Sequence, residues 1–160
     1  MALVKVEHLV KRYESEGPNA VNDLSFEIEE GEIFSLLGPN GAGKTTTLSV
    51  ISTLLAPTSG RVTVDGHDTE QNPMAVRRTL GVVPQELALY NDLTARENLR
   101  FWGEMRGLHG TALTEDIKQM LALTELESRA DDLVSTYSGG MKRRLNLAIG
   151  LLGRPRLVML

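Results

Sequence analysis

One octapeptide constrains this chain more than any other feature. Residues 38–45 read Gly-Pro-Asn-Gly-Ala-Gly-Lys-Thr, which matches the pattern Gly-x-x-x-x-Gly-Lys-Ser/Thr. A nearly continuous apolar run, Ile33–Leu37, precedes it, and Leu48, Ile51 and Leu55 follow at helical spacing. This order predicts a strand buried on both faces of a parallel sheet, then a glycine-rich loop, then a helix.

The residue types of this loop favour binding of phosphate. Glycines let the backbone turn back so that successive N–H groups converge on phosphate oxygens, and the helix that follows presents its positive N-terminal end. Lys44 would neutralise the terminal phosphates, and the Thr45 hydroxyl would be a ligand for Mg²⁺. The alternative is a glycine-rich turn with an incidental lysine. The predicted phosphate-binding residues are Gly38, Asn40, Gly41, Ala42, Gly43, Lys44, Thr45 and Thr46.

Composition excludes several other classes of function. The chain has 160 residues, 17 Lys+Arg against 21 Asp+Glu, and no cysteine, which rules out disulfides, thiolate nucleophiles and cysteine-ligated zinc. A net charge of −4 argues against a broad nucleic-acid footprint, so we expect no nucleic-acid partner. The apolar runs fall far short of the ~20 residues that span a bilayer, and the first residues show no export signal. We therefore expect a cytoplasmic protein.

Hydrophobic periodicity predicts an α/β chain with a helical insertion. Strands are expected at 3–9, 24–29, 33–37, 61–64, 80–83 and 157–160, and helices at 48–55, 73–78, 94–107, 115–123 and 138–152. Thr94 with Glu97 forms a capping box, and Thr114 and Ser138 are candidate caps of the next two helices. The prediction is an α/β core at 1–90 with a mixed sheet whose N-terminal strands are antiparallel, a helical subdomain at 91–153, and the start of a return strand at 154–160.

A second glycine-rich helix start lies far downstream of the loop. Ser138-Gly139-Gly140 would offer another N-terminal anion contact, although alone it is more typical of an ordinary helix cap. Gln85 lies between the two motifs, in a loop that Pro84 favours.

In this order the motifs resemble the ATP-binding subunit of ABC transporters, a P-loop NTPase family. Residues 38–45 are similar to its Walker A loop, Gln85 to its Q-loop glutamine, and 137–141 (Tyr-Ser-Gly-Gly-Met) to its signature motif. Tyr13 resembles its A-loop aromatic residue, and 156–160 the hydrophobic Walker B strand. The resemblance covers the whole chain. Tyr137 and Met141 stand where many members carry Leu and Gln, a variant that resembles the drug-export and antibiotic-resistance branch.

The resemblance implies a set of roles. Tyr13 would stack on adenine, and Gln85 would reach toward Mg²⁺ and the attacking water, acting with Lys44 in catalysis. Ser138, Gly139 and Gly140 would contact the γ-phosphate of ATP bound to a second copy, so the working unit would be a homodimer or pseudo-dimer of ATP-binding domains. Its partners would be transmembrane permease subunits, which would place the chain on the inner face of the cell membrane and couple ATP hydrolysis to transport, with export favoured.

Three expectations remain open at this stage. Leu160 falls just before the two acidic groups that follow the Walker B strand in the family, so the chain resembles an N-terminal fragment and is expected to turn over little ATP by itself. One alternative function is a soluble ABC-type ATPase of DNA repair or translation. Another is a nucleotide-binding module without turnover.

Overall fold

The computed structural model describes residues 2–160, which form two compact units. The first unit ends at Leu80, and the second runs from Gly81 to Leu160. Both combine strands with helices, so the α/β class is confirmed. The predicted division into a nucleotide-binding core, a helical subdomain and a return strand, with boundaries near residues 90 and 153, stays a prediction.

The first unit is built on an antiparallel sheet. β1 (Val4–Arg12) pairs on one side with β2 (Asn19–Ile28) and on the other with β3 (Ser59–Val64). Both pairings are antiparallel, which confirms the antiparallel N-terminal strands. Alternate residues of β1 and β3 are almost fully buried, as the period-two pattern predicted. A short strand, β4 (His67–Asp68), pairs with β3, so the order of strands in the sheet is β2-β1-β3-β4.

Two helices belong to the same unit. α1 (Lys44–Ile51) follows the glycine-rich loop directly, as predicted, and contacts β3 and β2. α2 (Pro73–Thr79) begins with proline in its first turn. Proline is tolerated there because the N–H that it lacks would have no partner within the helix. The loop therefore lies at the N-terminal end of a helix that packs on the sheet.

The predicted buried strand at Ile33–Leu37 is wrong. This segment has no regular secondary structure, and Ile33 and Leu37 are 97% and 91% exposed. An apolar run shows that a segment is suited to burial, but a strand also needs a neighbour to satisfy its backbone groups. Within residues 2–160 no strand pairs with it. Phe34 of this segment stacks on Phe26, with ring centroids 4.9 Å apart.

The second unit is mainly helical. Its elements are, in chain order, β5 (Leu80–Val82), α3 (Ala95–Met105), α4 (Gly110–Leu123), two single 3₁₀ turns (Glu127–Arg129 and Val134–Thr136), α5 (Gly139–Leu151) and β6 (Leu157–Met159). The three helices enclose a core that includes Leu99, Leu121, Leu126 and Leu145. β5 and β6 pair in a short two-stranded sheet.

Two of the three predicted helix caps are confirmed. The Thr94 side chain accepts from the Glu97 N–H while the Glu97 carboxylate accepts from the Thr94 N–H, which is the complete capping box. Ser138 caps α5 through a hydrogen bond from the Met141 N–H. Thr114 as a cap is wrong, because α4 begins four residues earlier and the Thr114 hydroxyl bonds back to the Gly110 carbonyl inside the helix.

Among the described residues, no helix is both long enough and apolar enough to cross a membrane.

Candidate functional site

The glycine-rich loop of the first unit is an exposed bend that ends in the first turn of α1. Gly41 and Gly43 have φ values of +83° and +82°, in the left-handed region that favours glycine. Gly43 is the N-cap of α1, and no side chain of the described residues caps that helix. Its first turn contains no acidic residue. The positive end of the helix thus faces a loop without anionic side chains, an environment that favours an anion.

Gly43 is required for packing as well as for its φ angle. A Cβ at this position would lie 2.4 Å from the Ala20 carbonyl oxygen and 3.0 Å from a Val21 methyl group, both on β2. A real Cβ does not approach a backbone oxygen that closely. The absence of a side chain at Gly43 therefore lets the start of α1 sit directly on the sheet.

Lys44 folds back over the loop that precedes it. Its Nζ donates hydrogen bonds to the carbonyl oxygens of Gly38, at 2.7 Å, and Pro39, at 2.8 Å. The ammonium group is thereby held at the bend, where it adds a full positive charge to the partial charge of the helix end. Two neutral carbonyls satisfy it without cancelling its charge.

Thr45 and Thr46 stand in the first turn of α1. The Thr45 side chain is exposed, and its hydroxyl is a hard oxygen donor of the kind Mg²⁺ prefers. Thr46 contacts Tyr13, since the two hydroxyl oxygens are 3.1 Å apart. The Tyr13 ring is 64% exposed, with the Lys11 ammonium 5.8 Å from its centroid. The structure therefore brings Tyr13 to the rim of the loop, 33 residues away in sequence.

The second glycine-rich helix start lies in the second unit. Gly139 and Gly140 are exposed, and a Cβ on Gly139 would meet no heavy atom within 4 Å. Beneath them Tyr137 is buried in the helical core, and its hydroxyl donates to the Arg129 carbonyl at 2.5 Å. Burial raises the pKa of Tyr137, so this phenol stays a neutral donor. Tyr137 anchors the segment that carries the exposed Ser-Gly-Gly turn.

Gln85 lies in an exposed, irregular part of the second unit. Sequence reasoning missed the residues that hold this loop, Asn146 on α5 and Asn98 and Trp102 on α3. A signal was available for one of them, because Asn146 is a polar residue beside Leu145 and Ile149 on the predicted apolar face of its helix.

Binding of a metal ion depends on which side chains could hold it. Residues 2–160 contain no group of three or more His, Asp or Glu side chains able to hold an ion. Mg²⁺ commonly takes only one or two protein ligands and completes its shell with phosphates and water. The exposed Thr45 hydroxyl, next to a loop suited to phosphate, fits that mode of binding.

A protein-family model matches most of the chain. The family described as "ABC transporter" matches residues 21–160. The linearmycin resistance ATP-binding protein LnrL of Bacillus subtilis is 43% identical over 159 residues, which are 99% of this chain and 50% of that protein. The human phospholipid-transporting ATPase ABCA3 is 39% identical over 100% of this chain and 10% of its own length. The chain thus spans half of LnrL and a small part of ABCA3.

Solved structures show the same fold. An ATP-binding subunit of an ABC transporter superposes with a TM-score of 0.83 at 30% identity, over 98% of this chain and 64% of the other. CbiO1 of Clostridium perfringens, part of the transporter complex cbiONQ, gives 0.88 at 26%, over 98% and 64%. The ATP-binding cassette MJ0796, a dimer bound to ADP and phosphate, gives 0.79 at 30%, over 97% and 72%. The α/β fold is that of P-loop ABC ATPases, and the chain belongs to the ABC transporter family, as an ATP-binding protein.

Proposed function

We propose that the chain binds ATP with Mg²⁺ through residues 38–46 and serves as the ATP-binding part of a membrane transporter. The observation that carries the proposal is the bend at the start of α1. It combines two left-handed glycines, an uncapped helix end and the Lys44 ammonium in one exposed place. Each of these features favours a polyphosphate anion.

Each loop element has a role in this proposal. Backbone N–H groups of 40–46 would hold the phosphates, and Lys44 would exchange its two carbonyl partners for phosphate oxygens. Thr45 would hold Mg²⁺, which when bound supplies positive charge that neutralises the phosphates. Tyr13 would place a flat, exposed ring against adenine, with its hydroxyl directed at Thr46.

The wider function of the full protein follows the family. We infer that it hydrolyses ATP, with Gln85 directed at the metal and the attacking water. Two copies would close around nucleotide through Ser138, Gly139 and Gly140, and membrane-spanning permease subunits would dock on the assembly at the inner face of the membrane. The dimer of MJ0796 and the complex that contains CbiO1 support these partners. Export is the favoured direction, because LnrL, which is 43% identical to this chain, is named as a resistance protein.

Equilibrium binding of a fluorescent ATP analogue tests the proposal directly. Lys44→Ala should weaken binding by tenfold or more, since a hydrogen bond to a charged group is worth about 1.5–3 kcal/mol. Lys118→Ala is the matched control, because Lys118 is an exposed lysine of α4 in the other unit and its loss changes the net charge equally. Equal affinity of the Lys44→Ala variant and the wild-type chain would contradict the proposal.

A further inference from the structure

The backbone around Gln85 is held by side chains of two helices. Residues 85–90 belong to no helix or strand. Asn146 of α5 is only 3% exposed, and its Nδ2 donates to the Pro84 carbonyl at 3.0 Å while its Oδ1 accepts from the Ala88 N–H at 3.3 Å. One side-chain amide therefore bridges the residue before Gln85 and the residue three positions after it. This pair of bonds needs a side chain that has both a donor and an acceptor, as the amide of Asn146 does.

Side chains of a second helix, α3, also bind the backbone of this loop. The Trp102 Nε1 of α3 donates to the Ala88 carbonyl at 3.1 Å. Asn98, fully buried on α3, accepts from the Tyr90 N–H at 2.9 Å and donates to the Tyr90 carbonyl at 3.0 Å. Pro84, Ala88 and Tyr90 are thus anchored, while Gln85, which lies between Pro84 and Ala88, is exposed.

We propose that Asn146 is a positioning residue for Gln85, acting with Trp102 to fix the Gln85 loop on the helical unit. The proposal rests on the proposed function, because that function gives Gln85 its role toward metal and water. Asn146 is hydrogen-bonded to the backbone of Pro84 and Ala88 and would act on Gln85 through them.

The anchor also joins the two sequence motifs of this unit. Asn146 and the cap residue Ser138 are about two turns apart on the same helix, α5. Because a helix of this length moves as a rigid body, a displacement of the Ser-Gly-Gly turn would carry the Gln85 loop with it. The bonds of Asn146 therefore couple the position of Gln85 to that of the signature turn.

Amide exchange and NMR of the nucleotide-free 160-residue chain test the anchor. Asn146→Leu keeps the shape but removes both bonds, so exchange of the Ala88 amide should rise at least tenfold and the Trp102 indole N–H resonance should shift. The chain has one tryptophan, so that indole resonance is unambiguous. Other core amides of the unit, such as that of Leu121 in α4, should change much less.

Asp116→Leu is the matched control. Asp116 is a similarly buried polar residue of the same unit, and its carboxylate accepts from the Gly153 N–H at 2.7 Å, away from the loop. This variant should accelerate exchange at Gly153 and leave Ala88 unchanged. If Asn146→Leu accelerates all core amides equally, or leaves Ala88 and the indole unchanged, Asn146 is a structural residue only and the proposal is overturned.

Two further measurements keep the test decisive. If Asn146→Leu does not fold, Trp102→Phe removes the donor to the Ala88 carbonyl while keeping an aromatic ring and the Ala88 N–H bond to Asn146. Loss of this bond should loosen the loop and accelerate exchange of the Ala88 amide by a smaller factor; unchanged exchange in that variant would refute the joint anchor. A titration with ATP and Mg²⁺ separates this proposal from the proposed function. If the wild-type chain shows the anchor but binds no nucleotide, the proposed function fails, while the conclusion that Asn146 positions Gln85 still holds.

Discussion

The packing of Gly43 on β2 provides a sharp test of why the loop adopts its bend. Substitution by alanine would place a methyl group 2.4 Å from the Ala20 carbonyl oxygen, in a residue whose φ is +82°. Gly41 offers a matched control, because its φ is +83° and a Cβ there meets no heavy atom within 4 Å. The two substitutions share the backbone strain and differ only in the clash.

The magnitude follows from these two contributions. A left-handed alanine costs about 1–2 kcal/mol in either position. The reduced freedom of the unfolded chain offsets about 0.4–1 kcal/mol of that cost, also in both variants. Overpacking adds about 1–3 kcal/mol at Gly43 alone. This clash is not easily relieved, because the Ala20 carbonyl belongs to the backbone of a paired strand and cannot change rotamer as a side chain can. Gly43→Ala should therefore destabilise the first unit by about 1–3 kcal/mol more than Gly41→Ala.

Hydrogen exchange of the buried β1 and β3 amides measures this difference within the first unit. A gap of 1.4 kcal/mol corresponds to about a tenfold difference in exchange between the two variants. Equal protection in the Gly43→Ala and Gly41→Ala variants would show that the start of α1 does not press on β2, and the explanation of the bend would fail.

Two other substitutions test the local energetics. Thr94→Ala removes one half of the capping box with Glu97 and should destabilise the second unit by about 1 kcal/mol in urea unfolding followed by Trp102 fluorescence; an unchanged midpoint would contradict the role of the cap. For Asp68, burial opposes ionisation, but two backbone N–H donors and Arg61 outweigh it and hold the pKa below its ordinary value of 3.8. Its contribution to the stability of the first unit is therefore present above pH 3.8 and lost as the pH falls through the lower folded value. Asp68→Asn should be less stable at pH 7 and should lose less stability on acidification; parallel pH curves would refute this.

Local signals explain what could be predicted from the sequence. The Thr94 capping box, the Ser138 cap and the glycine loop before α1 each depend on residues within a few positions of one another, so their pattern is visible in the chain. The half-buried character of β1 and β3 also follows from alternation along each strand. The roles of individual site residues stay predictions, because they depend on how a nucleotide is bound and not on a local pattern.

Contacts between distant residues explain what could not be predicted. Ile33–Leu37 has the composition of a buried strand, but strand pairing depends on a neighbour elsewhere in the chain. The Asn146 bonds to the Gln85 loop link positions 58 and 62 residues apart. The Tyr13–Thr46 contact spans 33 residues. No local pattern encodes these partners.

The central claim is that the bend before α1 holds the phosphates of a nucleotide. Titration of isotope-labelled chain with ATP, followed by the backbone amide resonances, tests it most directly. The account predicts saturable shifts concentrated at 38–46, absent or strongly reduced in the Lys44→Ala variant. Saturable binding that leaves the amides of this loop unmoved, or shifts them equally without Lys44, would contradict it.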